Sequence, residues 1–419
     1  MKILWFTNTP SLYSNKINGY NGEGWVSSLE EEISKLSGVD LAVSFLHKDT
    51  IWRVKKGSTT YYPISLYRTV FQKIKHNLLF NKSDISEVAE YLKVIKDFKP
   101  DIIHVFGTES SFGLLTFYTT IPVIIHIQGL LNSCYNAWYA PGSNVFDNLR
   151  FQNIFDAFKR IKNRNFFKYN SSREVIILAN SNYLMGRTEW DKSIVKICSP
   201  KAKYFYCGEI LRKSFYEANE WKFKKASDIQ FISVISKTEY KGFDLVLKTA
   251  SLLMKILNKN FKWLIFGIDD YDFWERKLKI RVKEVNVKYM GIEDPSGIIR
   301  EMQNSDMYIH PSYIDNSPNS ICEAQYLGMP VISTNVGGIS SLITNEIDGM
   351  LVPANDPYYL ASKIIDLIND HEKAVFMGKN ARIKAIDRHN RNKIINQNLA
   401  VYEYVKKTES LLNSEFNIS

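Results

Sequence analysis

The chain has 419 residues, too many for one ordinary hydrophobic core, so two domains are expected. Its 45% hydrophobic and 23% charged residues are typical of a globular protein and exclude a disordered chain. A net charge of +10 suits phosphorylated ligands or an anionic lipid surface. The basic residues are dispersed and form no known nucleic-acid module, so nucleic acid is not an expected partner.

Apolar strands alternate with amphipathic helices along the chain. In the first half, strands are predicted at 2–8, 39–46, 102–107, 123–129 and 175–181. In the second half, they are predicted at 229–236, 262–268, 307–312 and 330–335. Helical periodicity is clear at 25–36, 86–98, 243–257 and 359–369. This alternation predicts an α/β protein with two doubly wound parallel sheets.

The domain boundaries follow from the same pattern. We expect an N-terminal domain at 1–208, a polar linker at 209–227 and a C-terminal domain at 228–390. A last helix, about 391–407, is expected to pack back on the first domain. Two such domains facing one another predict a ligand-binding cleft at the carboxyl ends of their strands.

The chain start and the cysteines indicate the compartment. Residues 1–8 have too short an apolar run for a secretion signal, and no window is long enough to cross a membrane. The four cysteines are far apart and form no C-x-x-C pair, which argues against a disulfide framework and against a zinc site. A cytoplasmic protein is therefore expected.

A glycine-rich segment precedes the first helix. Gly19, Gly22 and Gly24 do not have the G-x-G-x-x-G spacing and come too long after the first strand, so a nicotinamide enzyme is not expected. Gly24, just before the helix at Trp25, could let a ligand approach the backbone, although a plain flexible loop fits equally well.

The most informative segment is 310–338, where a strand ends and a helix begins. Ser317 is a suitable N-cap and Pro318 a suitable first helical residue, followed by the small polar residues Asn319 and Ser320. Free amides and the helix dipole make such a helix start an anion site. Glu323 lies about 9 Å further along the helix, where the ribose of a bound diphosphate would fall. On spacing alone, Glu323 could equally be a solvated helix residue.

The ends of this segment complete the predicted site. Asp315, just before the helix, would face the sugar end of a diphosphate-linked ligand. Gly337 and Gly338 follow the next buried strand, and their missing side chains would let a ligand lie against the backbone.

The run from Asp315 to Gly338 resembles the E-x7-E region of retaining glycosyltransferase family 4. It is similar to the variant ENSPNS-x-x-EA-x-x-x-G-x-P-V-I-x-T-x-x-GG, with Asp315 in place of the first glutamate. The resemblance implies the GT-B fold, two facing Rossmann-like domains with the active site in the interdomain cleft. It further implies that Glu323 binds the ribose hydroxyls and that the segment Asn316–Ser320 holds the phosphates and the sugar.

Two lysines extend the resemblance. Residues 236–242 are similar to the family's R-x-x-x-KG segment, whose two cations neutralise the donor diphosphate. Lys241 matches the lysine of this family segment. Lys237 replaces the arginine, so a bidentate phosphate contact becomes a point charge, and a merely solvated lysine is an equally good interpretation.

The first half resembles the family at 100–107 and 125–129. Gln128 occupies the position where the family often has histidine; it could donate to the donor sugar but cannot act as acid or base. His126, on the same strand face, and Gly129 are acceptor-side candidates. The segment from Gly186 to Asp191 resembles a branch of the family found in polysaccharide biosynthesis, and a local Arg187–Asp191 contact is expected within it.

The resemblance implies a hexosyltransferase-like retaining enzyme of surface polysaccharide biosynthesis. It would transfer a sugar from a UDP- or GDP-linked donor to a glycan or lipid-linked saccharide, with Asp315, Lys241 and Gln128 as catalytic candidates. With cations and a helix start opposing the phosphates, neither a metal ion nor a cofactor is expected. A GT-B sugar-nucleotide epimerase and a non-catalytic nucleotide-sugar-binding partner are the alternatives.

Residues 149–173 combine apolar and basic side chains at helical spacing. The apolar ones are Phe151, Ile154, Phe155, Phe158 and Ile161, and the basic ones are Lys159, Arg160, Lys162, Arg164 and Lys168. Such a helix could lie on the inner face of an anionic membrane. Alternatively, it packs on its own sheet and leaves a solvated basic face.

Overall fold

The computed structural model describes residues 1–13, 24–48, 52–65, 80–224 and 228–416. The chain divides into two compact units. Unit 1 comprises Met1–Asn132, Phe166–Ile210 and the chain from His389 onward, and unit 2 comprises Ser133–Asn165 and Leu211–Arg388.

Unit 1 is built on an eight-stranded sheet of order β3-β4-β2-β1-β5-β6-β7-β8. Its strands are β1 Lys2–Thr7, β2 Asp40–Leu46, β3 Val54–Lys56, β4 Thr59–Ile64, β5 Ile102–Phe106, β6 Val123–His126, β7 Tyr183–Gly186 and β8 Lys203–Tyr206. Only the β3–β4 pair is antiparallel. Its helices are α1 Trp25–Ile33, α2 Phe80–Phe98, α3 Leu131–Asn136, α5 Ile154–Ala179, α6 Glu189–Cys198 and α14 Arg391–Phe416, of which α3 and α5 also extend into unit 2.

Unit 2 is built on a six-stranded, fully parallel sheet of order β11-β10-β9-β12-β13-β14. Its strands are β9 Ile229–Val234, β10 Phe261–Phe266, β11 Val287–Gly291, β12 Met307–His310, β13 Val331–Thr334 and β14 Met350–Val352. Its other helices are α4 Val145–Phe151, α7 Lys213–Glu217, α8 Phe243–Ile256, α9 Asp272–Leu278, α10 Pro295–Asn304, α11 Asn319–Leu327, α12 Pro357–Asn369 and α13 His371–Arg388.

The strand order of unit 2 reverses between β9 and β12. From β9 the chain proceeds outward through β10 and β11, and it then returns to β12 on the other side of β9. Ligands of open α/β sheets bind at the carboxyl ends of the strands where this reversal occurs. The loops after β9 and β12 are therefore expected to form the site of unit 2.

The predicted strand at 175–181 is wrong, because these residues continue α5 to Ala179. Ile177 and Leu178 are buried while Val175 and Ile176 are exposed. A short run of apolar, largely β-branched residues cannot be assigned to strand or helix by periodicity alone. The true strand, β7, begins at Tyr183.

The domain boundaries also differ from the prediction. Residues 133–165, assigned above to the N-terminal domain, belong to unit 2, where Lys277 Nζ contacts Asp147 Oδ2 at 2.8 Å. Much of the described part of the predicted linker 209–227 is packed rather than free, since Leu211, Phe215 and Trp221 are buried. Trp221, for example, donates from Nε1 to the carbonyl oxygen of Ser305 at 2.7 Å. Residues 225–227 lie outside the described part of the chain.

The last helix, α14, belongs to unit 1. The buried Tyr402 hydroxyl lies 2.7 Å from His104 Nδ1 and accepts from Trp5 Nε1 at 3.2 Å, so the helix is anchored on the sheet. In the part of the chain that the structure describes, no helix combines the length and the apolar character needed to cross a bilayer.

Candidate active site

The loop after β9 is shaped by one glycine. The turn Glu239–Lys241 ends at Gly242, which has a φ of +75°. A Cβ atom at Gly242 would overlap the backbone carbonyl of Pro311, which follows β12. The loop is also held by a hydrogen bond from the Tyr313 amide to the Tyr240 carbonyl at 2.7 Å. This close backbone approach brings Lys241 to the end of β12.

Asp315 is the centre of a hydrogen-bonded cluster at this point. Its Oδ2 atom lies 2.6 Å from Lys241 Nζ and 3.0 Å from His310 Nε2, and it accepts from Ser312 Oγ at 3.3 Å. Asp315 and Lys241, predicted from separate motifs, are thus in direct contact. His310, the last residue of β12, lies in the segment 310–338 but was not predicted as a site residue.

The environment fixes the protonation of this cluster. Burial alone would raise the pKa of Asp315, but the Lys241 ammonium and the His310 hydrogen bond outweigh it and hold that pKa well below the usual range. Burial lowers the pKa of His310, against the opposing effect of Asp315. His310 is therefore neutral and donates from Nε2, since an ionised carboxylate only accepts. Asp315 is an ionised, oriented acceptor.

The glycine pair after β13 packs against the same residue. A Cβ atom at Gly337, whose φ is +52°, would overlap the carbonyl oxygen of Asp315, and the Gly338 amide donates to that oxygen at 3.0 Å. Asp315 itself therefore accounts for the missing side chain at Gly337. A contact of Gly337 and Gly338 with a ligand stays a prediction.

The predicted start of α11 is corrected by one residue. Pro318 is the N-cap, without a side-chain hydrogen bond, and Asn319 is the first helical residue. Ser317 does not cap; its Oγ lies 3.8 Å from Cys322 Sγ. The amides of a first helical turn lack intrahelical acceptors, so the helix start remains suited to an anion. Around it, Asn316 and Ser317 are buried, and Pro318, Asn319 and Ser320 are half-buried.

Glu323 is not a solvated helix residue. It is buried, with 3% of its side chain exposed, and is held by Arg212, which donates from Nε to Oε1 at 2.7 Å and from Nη2 to Oε2 at 2.8 Å. Sequence reasoning missed Arg212, because it lies in the segment interpreted as a linker. A buried glutamate requires a cationic partner, but the burial of Glu323 is evident only from the structure.

Lys237 is not part of the Asp315 cluster. It pairs with Asp270, and about half of its side chain is exposed, 49% against 21% for Lys241. The described residues contain no group of three or more His, Cys, Asp or Glu side chains placed to hold a metal ion.

The candidates of unit 1 lie in a different environment. His126, at the end of β6, is fully buried, neither ring nitrogen has a hydrogen-bond partner, and burial holds its pKa well below the usual value. Gln128 donates to the His126 carbonyl at 3.3 Å. Gly129 and Gly24, the N-cap of α1, have open space where a Cβ would be, while Gly19 and Gly22 lie outside the described residues.

Arg187 supports the end of β6. Its side chain donates to the carbonyl oxygens of Ile127 and Gln128 at 3.3 and 3.2 Å, and it lies 2.6 Å from Glu209 Oε1. The expected local contact between Arg187 and Asp191 is present and is made by the backbone, since the Arg187 amide donates to Asp191 Oδ2 at 3.1 Å. The Gly186–Asp191 segment thereby orders the backbone around Gln128.

Residues 216–384 match the family Glycosyl transferases group 1. The chain is 27% identical over 186 residues to the putative colanic acid biosynthesis glycosyltransferase WcaL of Escherichia coli K12, covering 42% of this chain and 45% of the relative. It is also 27% identical over 166 residues to the amylovoran biosynthesis glycosyltransferase AmsK of Erwinia amylovora, covering 37% and 40%. In both comparisons this chain spans less than half of the relative's length.

Solved structures are similar over nearly the whole chain. Sucrose-phosphate synthase of Thermosynechococcus elongatus has a TM-score of 0.73 at 16% identity, with 97% of this chain and 99% of that chain covered. The Anabaena protein HepE, crystallised with UDP, has a TM-score of 0.63 at 14% identity, with 96% and 100% covered. These likenesses confirm the predicted GT-B fold class, built from two parallel-sheet α/β domains.

Proposed function

We propose that this protein, in which residues 216–384 form a domain of the Glycosyl transferases group 1 family, transfers a sugar from a nucleotide sugar to a saccharide acceptor. The observation that carries the proposal is the Lys241–Asp315–His310 cluster beside the start of α11, with the buried Glu323 further along that helix. A cation, a free helix start and two oriented carboxylates are the groups that a diphosphate carrying two sugars requires.

In this proposal, the donor lies along α11. Its diphosphate binds at the helix start opposite Lys241, and its ribose hydroxyls donate to Glu323. Asp315, an acceptor only, receives hydroxyls of the transferred sugar. A uridine nucleotide is the favoured donor, because HepE was crystallised with UDP and UDP-glucose and one relative in Escherichia coli is named a UDP-Gal-dependent galactosyltransferase.

The proposed reaction retains the configuration of the sugar. The bond from the anomeric carbon to the leaving phosphate oxygen breaks, and the acceptor oxygen bonds to the same face. The acceptor proton passes to that phosphate oxygen. Lys241 and the helix start stabilise the negative charge that develops on the phosphate, so the protein itself supplies the electrostatic assistance.

A role in polysaccharide biosynthesis is supported by the names of WcaL and AmsK. A lipid-linked acceptor is supported by two further relatives, from Campylobacter jejuni and Escherichia coli, whose names include diphospho-undecaprenol or diphosphoundecaprenol acceptors. We therefore propose a glycan or lipid-linked saccharide as the acceptor.

Thermal-shift measurements with UDP- and GDP-sugars test the donor proposal. A donor at about 100 times its Kd adds about 2.7 kcal/mol of stability, so the unfolding midpoint should rise clearly. Glu323→Ala should remove the response. A protein that responds to none of these nucleotides would contradict the proposal.

Product analysis then separates the alternatives. A glycosyltransferase is expected to transfer or hydrolyse the sugar of the nucleotide sugar that raises its unfolding midpoint. A non-catalytic binding protein would leave that nucleotide sugar intact. An epimerase would convert it to a second nucleotide sugar.

We also propose contact with an anionic membrane through α4 and the start of α5. Five large apolar side chains there are exposed, from Phe155 at 84% to Leu149 at 51%: Phe146, Leu149, Ile154, Phe155 and Phe158. Lys159 and Lys162 are exposed beside them, which suits anionic headgroups. Two residues of the predicted membrane-binding helix are not available for this contact, since Phe151 packs on the unit 2 core and Arg160 pairs with Glu239 at 2.7 Å.

Vesicle sedimentation tests the membrane proposal. Binding should require anionic lipid, and replacement of both Phe155 and Phe158 by serine should weaken it. A matched control is Phe376→Ser, another exposed phenylalanine of unit 2. Equal sedimentation with and without anionic lipid would remove the proposal.

A further inference from the structure

Residues 133–165 reach the loop that carries Lys241. They precede the rest of unit 2 in the chain, and they include the first part of α5. From this part of α5, Arg160 Nη2 donates to Glu239 Oε1 at 2.7 Å. The side chain of Glu239 is 3% exposed and that of Arg160 is 20% exposed, so the ion pair is largely shielded from water.

The guanidinium of Arg160 has further contacts that fix its place. Its centre lies 4.4 Å from the ring of the buried Phe273. Its Nη2 atom also donates to the hydroxyl oxygen of the buried Tyr271 at 3.4 Å. Both aromatic rings belong to the core of unit 2. Arg160 is therefore seated on this core and presents its charge to Glu239 at a defined point.

Glu239 and Lys241 are the first and last residues of one short turn. The middle of the turn and the end at Lys241 are held by backbone contacts with the segment after β12. The other end is held by the Glu239 side chain on Arg160. A movement of that end would rotate the turn and change the position of Lys241 Nζ, which lies 2.6 Å from Asp315 Oδ2.

Arg160 also governs the charge of Glu239. Burial raises the pKa of this carboxyl to about 7, against the opposing effects of the Arg160 charge and the Ala140 amide. To a smaller extent, Lys277 lowers that pKa and Asp244 raises it. Without Arg160, the buried carboxyl would be either unpaired or protonated, and in both forms the contact that holds this end of the turn is lost.

We propose that Arg160 is a positioning residue for the transfer reaction, which places Lys241 opposite the leaving phosphate by holding Glu239 at the other end of the same turn. The inference rests on the proposed function, since it takes Lys241 as the cation that stabilises this phosphate. A displacement of about 1 Å can cost a factor of about 10² in rate, so a small movement of the turn matters. The competing interpretation is that Arg160 only docks residues 133–165 on unit 2.

Turnover of the donor separates the two interpretations. The probe is the UDP- or GDP-sugar that raises the unfolding midpoint, and the readout is the release rate of its nucleoside diphosphate at saturating donor. At pH 8, about one unit above the pKa of Glu239, most of this carboxyl is ionised. Under these conditions Arg160→Met should lower the rate about tenfold. Arg160→Lys, which keeps the charge but loses the planar contact with Phe273, should be intermediate.

A double-mutant cycle tests whether Arg160 acts through Lys241. If it does, Arg160→Met should slow the Lys241→Met protein by less than about twofold, because the group that it positions is already absent. A general disturbance of the fold would slow both backgrounds by the same factor. Equal factors, or an unchanged rate in Arg160→Met alone, would overturn the proposal and leave the proposed function intact.

The matched control is Lys277→Met. Lys277 lies 2.8 Å from Asp147, and this pair also joins residues 133–165 to the rest of unit 2. The two side chains are 13% and 16% exposed, so the pair is shielded to a similar extent. Its loss should keep the release rate within about twofold of the wild type, because docking alone contributes no interaction made only in the transition state. A loss of rate equal to that of Arg160→Met would overturn the proposal.

A second variant covers the case in which Arg160→Met does not fold. Arg160→Met combined with Glu239→Gln removes both charges, which is less destabilising than leaving one buried charge unpaired. The release rate should fall as in Arg160→Met, since the turn loses the same contact, and a wild-type rate would overturn the proposal. Absence of release by the wild-type protein, or a wild-type rate in Lys241→Met, would instead overturn the proposed function.

Discussion

Two buried histidines, one from each unit, are the last residues of parallel strands and have opposite surroundings. His310, at the end of β12, donates to Asp315 at 3.0 Å within a cluster that also contains Lys241. His126, at the end of β6, is surrounded by aromatic rings, and its ring nitrogens have no partner. The same residue type at the end of a parallel strand thus belongs to a polar cluster in one unit and lies among aromatic rings in the other. The position at a strand end therefore does not determine the chemical role of a histidine. The groups that its ring contacts determine it.

The largest expected effect concerns the cation of the unit 2 cluster. Lys241→Met should lower the transfer rate by about 10²–10³-fold, because one positioned charge opposite the leaving phosphate is lost. Lys237→Met, four residues earlier in the same loop, removes a half-exposed lysine that pairs with the exposed Asp270 and should change the rate by a few-fold at most. Steady-state kinetics of both variants check this. Equal losses of transfer rate in the two variants would show that contact with Asp315 does not distinguish the catalytic lysine from its neighbour.

A second comparison involves two buried arginine–glutamate pairs, Arg212–Glu323 from unit 2 and Arg187–Glu209 from unit 1. Glu323→Gln should weaken UDP binding by about 1–3 kcal/mol, since a charged acceptor of ribose hydroxyls is lost. Glu209→Gln changes the pair that Arg187 makes in unit 1 and should leave UDP affinity unchanged. Calorimetric titration of both proteins is the measurement. Loss of affinity in Glu209→Gln would place the nucleotide in contact with unit 1 instead.

The two histidines can be compared directly by replacement with methionine, which is similar in volume. His310→Met removes a donor from the ionised Asp315 and should cost about 1–3 kcal/mol. His126→Met removes only unpaired nitrogens and should cost less than about 1.5 kcal/mol. Thermal unfolding checks both, at about 2–4 °C per kcal/mol for domains of this size. A larger loss for His126 would mean that its ring nitrogens have an unrecognised partner.

The ionised state of Asp315 has a consequence at low pH. Its pKa is lower in the folded than in the unfolded chain, so its contribution to stability is complete above the unfolded value of about 3.9 and is lost as the pH falls further. Asp315→Asn should therefore be less stable than the wild type near pH 7, and the difference should shrink below about pH 4. Unfolding midpoints between pH 7 and pH 3 test this. A constant difference would show that Asp315 is not held ionised.

The sequence was sufficient for the four central strands of each sheet and for the long motif, because alternation of apolar strands and helices and the spacing from Asp315 to Glu323 are local patterns. It was not sufficient for residues whose role depends on distant partners. Arg212 lies 111 positions before Glu323, and its segment looks like a polar linker until the fold brings the two together. Residues 133–165 were misassigned for the same reason, since contacts such as Lys277–Asp147 connect distant parts of the chain.

Strand β11 and strand β14 were missed for a different reason. Val287–Gly291 includes a lysine and ends in glycine, and Met350–Val352 is only three residues long, so neither shows a clear strand pattern. Both lie at the edges of the unit 2 sheet, where short or polar strands are tolerated. The site-forming strands β9 and β12 are central and apolar, and they were predicted.

The smallest expected effect is that of metal removal. In the proposed site, Lys241 and the start of α11 supply the positive charge that a divalent ion would otherwise provide to the diphosphate. The one D-x-D string, Asp270 to Asp272, has its carboxylates paired with Lys237 and Arg276. Transfer should therefore proceed at the full rate in excess EDTA, measured as product formed per unit time. A complete loss that added Mg²⁺ or Mn²⁺ restores would show that the fixed cations of unit 2 do not suffice for the leaving phosphate.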